Sequence, residues 1–555
     1  MAFPAADATA SAPAPSLGWW ARFCRALEAY PVERIGMAAV AAGIVLRLAA
    51  PFFMDFRSDG DTYVAMGHAW ALHHAFLMPY GDVTTWGPTG PMYSNHYPPL
   101  YPFYLGLVFT VFGFGLWQAK IAALAMSLAA LAAAYFTSRD LYGRNVAALV
   151  AGLLALEPHL VWAGGTGFSE NMVLLFFALT MWAIIRSLTD DRFIVLAGFF
   201  AGLAYLSKSS VGYFFVIAGA GGFLWRFYYK RWKLFTNFWY MAAIVLFLGL
   251  ASWWAIRNVD LFGWQQQTFQ TFWISVSGWH VDFSTRTIIA QIPNWETSSY
   301  VRYVQTYAWQ HPDLWQEALL AKIPFFAVFL LWYALPFLPE SWAATKKIRE
   351  EHTSALWLSV FLVWVTGWVI ASMFWTFEKS SLYWFDNHRY TVIGLLPLGW
   401  LLLREADLSR AGTRIRYVLL ALSLFAACGA VLLSPVKFSD LHAAEAIDPY
   451  LRPGDEIGMG GGTIKYAVYA YMTHPEQITV YGCQQPAPTP AQCQPDHHPA
   501  FILTLNGDTY GSDYVRVGVF TQSYWNGGIM TTTVWARSDV VEARHVPANM
   551  ASSGV

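Results

Sequence analysis

Three acidic residues have the type and the placement of groups that exchange protons with a substrate. Asp59 and Asp61 follow the first apolar segment by a few residues, and Glu170 opens a later one. Ionised side chains this close to membrane hydrocarbon are rare and usually serve a function. A carboxylate next to a weakly nucleophilic hydroxyl, amide or phosphate can act as a general base. Asp59, Asp61 and Glu170 are therefore the predicted catalytic residues.

Each acid also has a structural interpretation. If the chain is extended at Asp59 and Asp61, their side chains point to one side, but both could instead cap a helix over residues 62–73. Glu170, in a first helical turn, is stabilised by the helix dipole, and Glu157 before Pro158 is interpreted as structural. The catalytic interpretation depends on the predicted acids facing the same side of the membrane.

The composition is that of a polytopic membrane protein. Charged residues make up 12% of the 555 residues and hydrophobic residues 56%, whereas a soluble protein has about 25% charged residues. Apolar runs of about 20 residues recur along the chain, which is the length that crosses a bilayer. The net charge of −1 argues against a nucleic-acid partner.

The apolar runs predict about 11 spans. They lie near residues 36–53, 118–137, 145–162, 168–186, 193–210, 211–228, 238–256, 320–338, 355–375, 391–404 and 416–434. A further run, 100–117, decides the orientation of everything after it. If it does not cross and the N-terminus is cytoplasmic, most loop Lys and Arg residues lie in the cytoplasm, as the positive-inside rule requires. We therefore expect 100–117 to lie on the membrane surface or to re-enter.

This orientation divides the chain into three parts. Residues 1–35 form a cytoplasmic tail, residues 36–434 a transmembrane domain with a first extracytoplasmic loop at 54–117, and residues 435–555 a small periplasmic α/β domain. Alternating strand-like and helix-like runs indicate the last domain. They are 455–459, 464–472, 477–481, 500–505 and 531–536. Cys483 and Cys493 in this domain could form a disulfide or remain thiols.

Basic residues are predicted on the same face as the acids. Lys208 ends the fifth span, Arg257 follows the seventh, and His388 and Arg389 precede the tenth. Each alone could anchor at the headgroups or snorkel to the surface. Together they suit an anionic lipid-linked substrate, because Arg binds phosphate through paired hydrogen bonds. His96 could order an acceptor or contact a diphosphate, or be a packed histidine.

Several short motifs then occur in an order typical of one family. They are Ser58-Asp59-Gly60-Asp61-Thr62-Tyr63, Tyr97-Pro98-Pro99-Leu100-Tyr101, Ser169-Glu170, Leu206-Ser207-Lys208, Trp254-Ala255-Ile256-Arg257-Asn258 and Arg389-Tyr390. Over about residues 36–400 the chain resembles the GT-C membrane glycosyltransferases that use polyprenyl-phosphate sugars. Within them it is similar to the bacterial branch related to protein O-mannosyltransferases, aminoarabinose transferases and galacturonosyl transferases. The first motif, an acid four residues before a tyrosine, selects Asp59.

The resemblance implies an inverting transfer of a sugar from a polyprenyl-phosphate carrier to an envelope glycan, lipid or protein, on the outer face of a bacterial inner membrane. Asp59 would deprotonate or orient the acceptor, and Glu170 would orient the acceptor or a basic partner. The implied substrate-binding residues are Tyr63, His96, Tyr97, Lys208, Arg257, His388 and Arg389. No obligatory metal or other cofactor is expected, since cationic side chains can neutralise a monophosphate; a divalent metal stays an alternative.

His96 and Tyr97 stand where the aminoarabinose branch has an acid and a lysine, so the donor contacts of that branch do not carry over. The alternative function is a transporter or flippase of a lipid-linked sugar. Transporters tend to show paired broken helices at the midplane, which the sequence does not indicate. A structural or assembly protein of the envelope is a third hypothesis, and it would need none of these charges.

Overall fold

The computed structural model shows packed helices in the N-terminal half of the chain and an α/β arrangement near its C-terminus. The residues it describes are 32–56, 59–80, 92–93, 97–187, 189–208, 237–262, 280–282, 287–289, 394–397, 399–400, 420–425, 427–428, 431, 439–459, 464–482, 498–505, 513–523 and 529–550.

Long apolar helices form the N-terminal half, as a membrane protein requires. Within the described ranges, α1 (Val32–Phe53), α4 (Leu116–Tyr142) and α9 (Phe238–Phe262) contain segments long and apolar enough to cross a bilayer. α7 (Glu170–Arg186) packs against α4 and α8 (Phe193–Ser207), and α8 packs against α9. The predicted spans 211–228, 320–338 and 355–375 lie outside the described residues, as do most of 391–404 and 416–434.

The span predicted at 145–162 contains a sharp bend. That segment is two helices, α5 (Arg144–Ala155) and α6 (Pro158–Thr166), which meet at an angle of 57°. Pro158 opens α6, where its missing N–H costs no helical hydrogen bond. The Glu157 carboxylate caps the new helix by accepting from the Leu160 amide at 2.7 Å. Glu157 is thus structural, as its position before a proline predicts.

A buried arginine compensates for this break. The Arg47 guanidinium, on α1, donates to the carbonyl of Leu154 at 3.0 Å and to that of Ala155, at the end of α5. Its Nε also donates to the Ser127 hydroxyl at 2.9 Å. Arg47 therefore pairs carbonyls that the interrupted helix leaves without an intrahelical donor. Arg47 was not among the predicted residues, although an ionised residue inside an apolar span is itself a signal.

Two shorter helices follow α1 and pack against each other: α2 (Asp59–His73) and α3 (Leu100–Phe112). α3 has 13 residues, which at about 1.5 Å per residue falls well short of the roughly 30 Å of bilayer hydrocarbon. Its last residues, Val111 and Phe112, are 71% and 70% exposed. That 100–117 lies on the membrane surface or re-enters stays a prediction, and the helix in this segment ends at Phe112 rather than 117.

The C-terminal unit, as we call residues 439–550, is built on a mixed five-stranded sheet. Its strands are β5 (Glu456–Met459), β6 (Thr479–Gly482), β7 (Phe501–Leu505), β8 (Tyr514–Ser523) and β9 (Ile529–Arg537), and its helices are α10 (Ser439–Ile447), α11 (Ile464–Tyr471) and α12 (Ser538–Arg544). The strand order is β6-β5-β7-β9-β8, with β5 parallel to β6 and β7, and β9 antiparallel to β7 and β8. Short hairpins elsewhere pair β1 (Leu77–Met78) with β2 (Met92–Tyr93), and β3 (His280–Asp282) with β4 (Thr287–Ile289).

The C-terminal unit packs directly on α2. His68 Nδ1 lies 2.8 Å from the Tyr469 hydroxyl, and the Tyr80 hydroxyl donates to the Pro475 carbonyl at 2.8 Å. The His68 ring also stacks on Phe114, with the ring centroids 3.8 Å apart. Apolar residues of both regions belong to one buried cluster. The helix that begins with Asp59 is therefore held by residues some 400 positions further along the chain.

His68 makes this contact sensitive to pH. Burial lowers the pKa of His68 from 6.5 to about 4. The unfolded chain therefore takes up this proton first as the pH falls from 6.5 to about 4, and folding loses roughly 3 kcal/mol across that window. We expect His68→Gln, which stays neutral and keeps an amide near Tyr469, to remove that part of the acid destabilisation. Melting temperatures at pH 7 and pH 4.5 measure it.

The matched control is His442→Gln, on α10, where the histidine makes a 3.7 Å contact with the partly exposed Glu445. This variant should lose stability on acidification as the wild type does. Equal acid sensitivity of His68→Gln and wild type would contradict the buried, neutral state of His68.

Candidate active site

Two glycines bring the predicted acids to one place. A Cβ on Gly60 would lie 2.0 Å from the carbonyl oxygen of Thr166, so the start of α2 rests against the end of α6. Gly167, with φ of 75°, adopts a left-handed conformation and leaves no room for a side chain against Phe56. α7 begins three residues later with Glu170. The first turns of α2 and α7, which carry the acids, are therefore neighbours.

Three tyrosines, Tyr63, Tyr97 and Tyr101, connect these helix starts, and we call them the tyrosine cluster. The Tyr97 hydroxyl donates to Asp59 Oδ1 at 3.2 Å, and the Tyr63 hydroxyl lies 3.2 Å from Ser169 Oγ. The Tyr63 ring meets both other rings edge to face, with centroids 5.2 Å apart in each case. The cluster thus runs from Asp59 on α2 to the residue before Glu170.

The hydroxyls of Tyr97 and Tyr101 remain protonated. Burial and then the Asp59 charge raise the pKa of Tyr97 well above its ordinary value, while a hydrogen bond from Thr62 acts in the opposite direction. Burial also raises the pKa of Tyr101, with smaller contributions from Tyr104 and from the charge of Glu170. Tyr97 and Tyr101 are therefore hydrogen-bond donors at any physiological pH.

Glu170 and Lys208 form a buried ion pair. Lys208 Nζ donates to Glu170 Oε1, and the two side chains are 11% and 2% exposed. Lys208 follows α8 in extended conformation, and its ammonium contacts Glu170. Buried charges persist only when they are paired, so each of these two side chains is the partner that the other requires.

The two aspartates do not share a face, contrary to the interpretation of this segment as extended. Helix α2 begins at Asp59 rather than near residue 62, and residues two apart on a helix point in different directions. Asp59 is partly exposed and contacts Tyr97, whereas Asp61 is 1% exposed. Asp59 is therefore the accessible carboxylate, and Asp61 is held in the interior.

A second charged group lies beside Asp61 and was missed from the sequence. Asp55 Oδ1 accepts from Lys120 Nζ at 3.2 Å, and Lys120 also donates to the Pro51 carbonyl at 2.8 Å. Burial raises the pKa of Tyr471, and the nearby charges of Asp55 and Asp61 add to that shift. Tyr471 comes from α11, so the C-terminal unit reaches the first turn of α2. Lys120, a lone charge in an apolar run, was the available signal.

Arg257 lies at the edge of the first loop. Its guanidinium stacks over Trp254 and Tyr93, 4.5 Å and 5.4 Å from the ring centroids, and donates to Asn258 Oδ1 at 2.5 Å. Tyr93 belongs to the first loop, so the structure brings Arg257 to that loop. The described contacts place it on aromatic rings rather than on Asp59 or Glu170.

Other predicted residues fall outside the described part of the chain. They are His96, His388, Arg389, Cys483 and Cys493. Within the described ranges, no three His, Cys, Asp or Glu side chains come together as potential metal ligands.

The apolar spans, the helical first loop and the acids at its two helix starts can now be compared with known proteins. Residues 96–256 match the family described as dolichyl-phosphate-mannose-protein mannosyltransferase. No curated protein sequence matches the chain.

Solved structures show the same fold. The chain is similar to ArnT from Cupriavidus metallidurans in the apo state, with 13% identity and a TM-score of 0.52 over 90% of this chain and 97% of that one. For ArnT bound to undecaprenyl phosphate the identity and TM-score are the same, with 91% and 98% covered. The oligosaccharyltransferase of Archaeoglobus fulgidus, complexed with zinc and sulfate, has a TM-score of 0.50 and 13% identity, and the match covers 85% of this chain and 67% of that one. The predicted resemblance to the GT-C fold is thus confirmed, and the protein is a membrane protein.

Gly60→Ala should disturb the site without touching a charge. The new methyl would overlap the backbone carbonyl of Thr166, and overpacking of this kind costs about 1–3 kcal/mol. We expect a lower melting temperature and weaker complementation of a deletion strain, because the start of α2 must move. Gly249→Ala on α9 is the control, since its Cβ would meet nothing within 4 Å; an equally large loss there would contradict this account.

Breaking the buried ion pair separates its structural and functional roles. Glu170→Gln leaves the Lys208 charge in a buried site and should destabilise the protein by about 3–5 kcal/mol. The double variant Glu170→Gln with Lys208→Met should recover most of that stability. We expect both variants to fail to complement a deletion strain. Thermal unfolding and complementation of a deletion strain measure the two effects, and full function in the double variant would show that the pair is only structural.

Proposed function

We propose that the protein is an inverting glycosyltransferase that moves a sugar from a polyprenyl-phosphate carrier to a cell-envelope acceptor on the outer face of a bacterial inner membrane. In this proposal the N-terminus is cytoplasmic and the C-terminal unit is periplasmic. The acceptor is a glycan, lipid or protein of the envelope.

One observation carries the proposal: Asp59 and Glu170, more than 100 residues apart in the sequence, begin two helices whose first turns are neighbours. The chain also has the fold of ArnT, one of whose structures contains undecaprenyl phosphate. A partly exposed carboxylate next to a buried ion pair is a suitable environment for a general base and its electrostatic support.

The chemical step follows from this arrangement. An oxygen or nitrogen of the acceptor attacks the anomeric carbon of the sugar while Asp59 accepts the acceptor's proton. The bond between that carbon and the phosphate oxygen breaks, and its electrons leave with the polyprenyl phosphate. Because attack and departure occur on opposite faces of the carbon, the configuration inverts.

The leaving phosphate requires cations. Lys208 already neutralises Glu170, so in this proposal Glu170 holds Lys208 at the site and the pair contributes little net charge. Arg257, at the edge of the first loop, together with the predicted Arg389 and His388, would supply the additional positive charge. Arg suits this role because its planar guanidinium binds phosphate oxygens in pairs.

Asp59→Asn tests the base directly. The amide cannot accept the acceptor's proton, and loss of a general base lowers rates by about 10²–10⁴-fold. The assay mixes purified full-length protein with membranes from a deletion strain, which supply donor and acceptor, and measures released polyprenyl phosphate and modified glycan by mass spectrometry. We expect at least a 100-fold slower release, with an unchanged melting temperature.

Asp140→Asn is the control. This exposed acid lies near the C-terminal end of α4 and pairs with Arg186 at the end of α7. It should retain wild-type rates. Wild-type release by Asp59→Asn would refute the assignment of the base. Movement of lipid-linked sugar across vesicles without any product would instead support the flippase alternative.

A further inference from the structure

Position 97 is the place where this chain departs from the branch it resembles, and the structure gives Tyr97 a definite contact. The Tyr97 side chain is buried, 7% exposed, and its hydroxyl donates to Asp59 Oδ1 at 3.2 Å. It reaches Asp59 from the segment just before α3, across the packed interface between α3 and α2. A tyrosine here therefore contacts the proposed base itself.

The backbone and the ring of Tyr97 are both restrained. Tyr97 is followed by Pro98 and Pro99, both buried, and a proline restricts the backbone of the residue before it. Its ring meets the Tyr63 ring edge to face at 5.2 Å. Since backbone and ring are both held, the hydroxyl donates in a constant direction, and the carboxylate that accepts from it is held in one orientation.

We infer that Tyr97 is a positioning residue for Asp59: its hydroxyl orients the carboxylate toward the acceptor and does not bind the donor phosphate. This inference rests on the proposed function. It replaces the prediction of a substrate contact at this position, since the hydroxyl is directed at an acid and a phosphate would be repelled by that acid.

Tyr97→Phe is the test, because it removes the hydroxyl and keeps the ring that packs on Tyr63. Tyr104→Phe is the matched control: this tyrosine lies on α3, and its hydroxyl donates to the Ala122 carbonyl at 2.9 Å, away from Asp59. Both variants lose one partly buried hydrogen bond from a tyrosine. Rates of polyprenyl-phosphate release are measured against increasing amounts of deletion-strain membranes, across a range of pH.

We expect Tyr97→Phe to lower kcat about tenfold with an unchanged apparent KM, a loss typical of one hydrogen bond to an ionised group. We also expect the acidic limb of its pH profile to move to higher pH, because a donor to a carboxylate favours its charged form. Among the described residues, Tyr63 also acts on Tyr97, and Asp55 and Asp61 both act on Tyr471; Tyr97→Phe leaves all of these groups in place. Tyr104→Phe should keep the wild-type kcat and pH profile.

Three results would overturn the inference: a raised KM at constant kcat, which indicates a donor contact; no kinetic change; or the same loss in Tyr104→Phe. If Tyr97→Phe does not fold, a ring-fluorinated tyrosine at position 97 keeps the shape and strengthens the donor, and the acidic limb should then move to lower pH. An Asp59→Asn variant with full activity would refute the proposed function, whereas an inactive Asp59→Asn with a normal Tyr97→Phe refutes only the role of Tyr97.

Discussion

Ionised side chains beside a bilayer are tolerated only where other polar groups surround them, and the observed architecture meets this requirement around its acids. Glu170 pairs with Lys208, Asp55 pairs with Lys120, and Asp59 accepts from Tyr97. Each pair joins segments that are distant in the sequence. A buried charge without its partner is strongly unfavourable. These pairs therefore favour the packing of the particular segments that carry the two partners.

The helix that carries Asp59 is held along its whole length. At its start, Gly60 rests on the end of α6 and Tyr97 contacts the first carboxylate. Further along, His68 contacts Tyr469 of the C-terminal unit, and Tyr80 beyond the helix contacts Pro475. Catalysis by a general base depends on geometry that is held to fractions of an ångström. The C-terminal unit thus packs directly on the helix that carries Asp59.

Much of this arrangement follows from sequence patterns, and the exceptions have physical causes. Apolar runs located α1, α4 and α9 because bilayer thickness dictates their length. The motif around Asp59 located the accessible acid, and of the two interpretations of this segment the helical one agrees with α2, which begins at Asp59 rather than near residue 62. The break before Pro158 and the ion pair of Lys208 with Glu170 depend on tertiary contacts, from Arg47 and from another helix. Asp55 could not be recognised as part of an ion pair from the sequence, because its partner Lys120 is 65 residues away.

The position of Arg47 has a consequence for biogenesis. An arginine inside a span costs up to about 2.5–3.5 kcal/mol on insertion by the translocon, and its carbonyl partners on α5 are synthesised more than 100 residues later. Until α5 has been made, the guanidinium has neither of these carbonyls and depends on water or lipid headgroups for hydrogen bonds. The contacts that bind α1 to the interrupted segment therefore form only after synthesis of that segment, as a late step of folding.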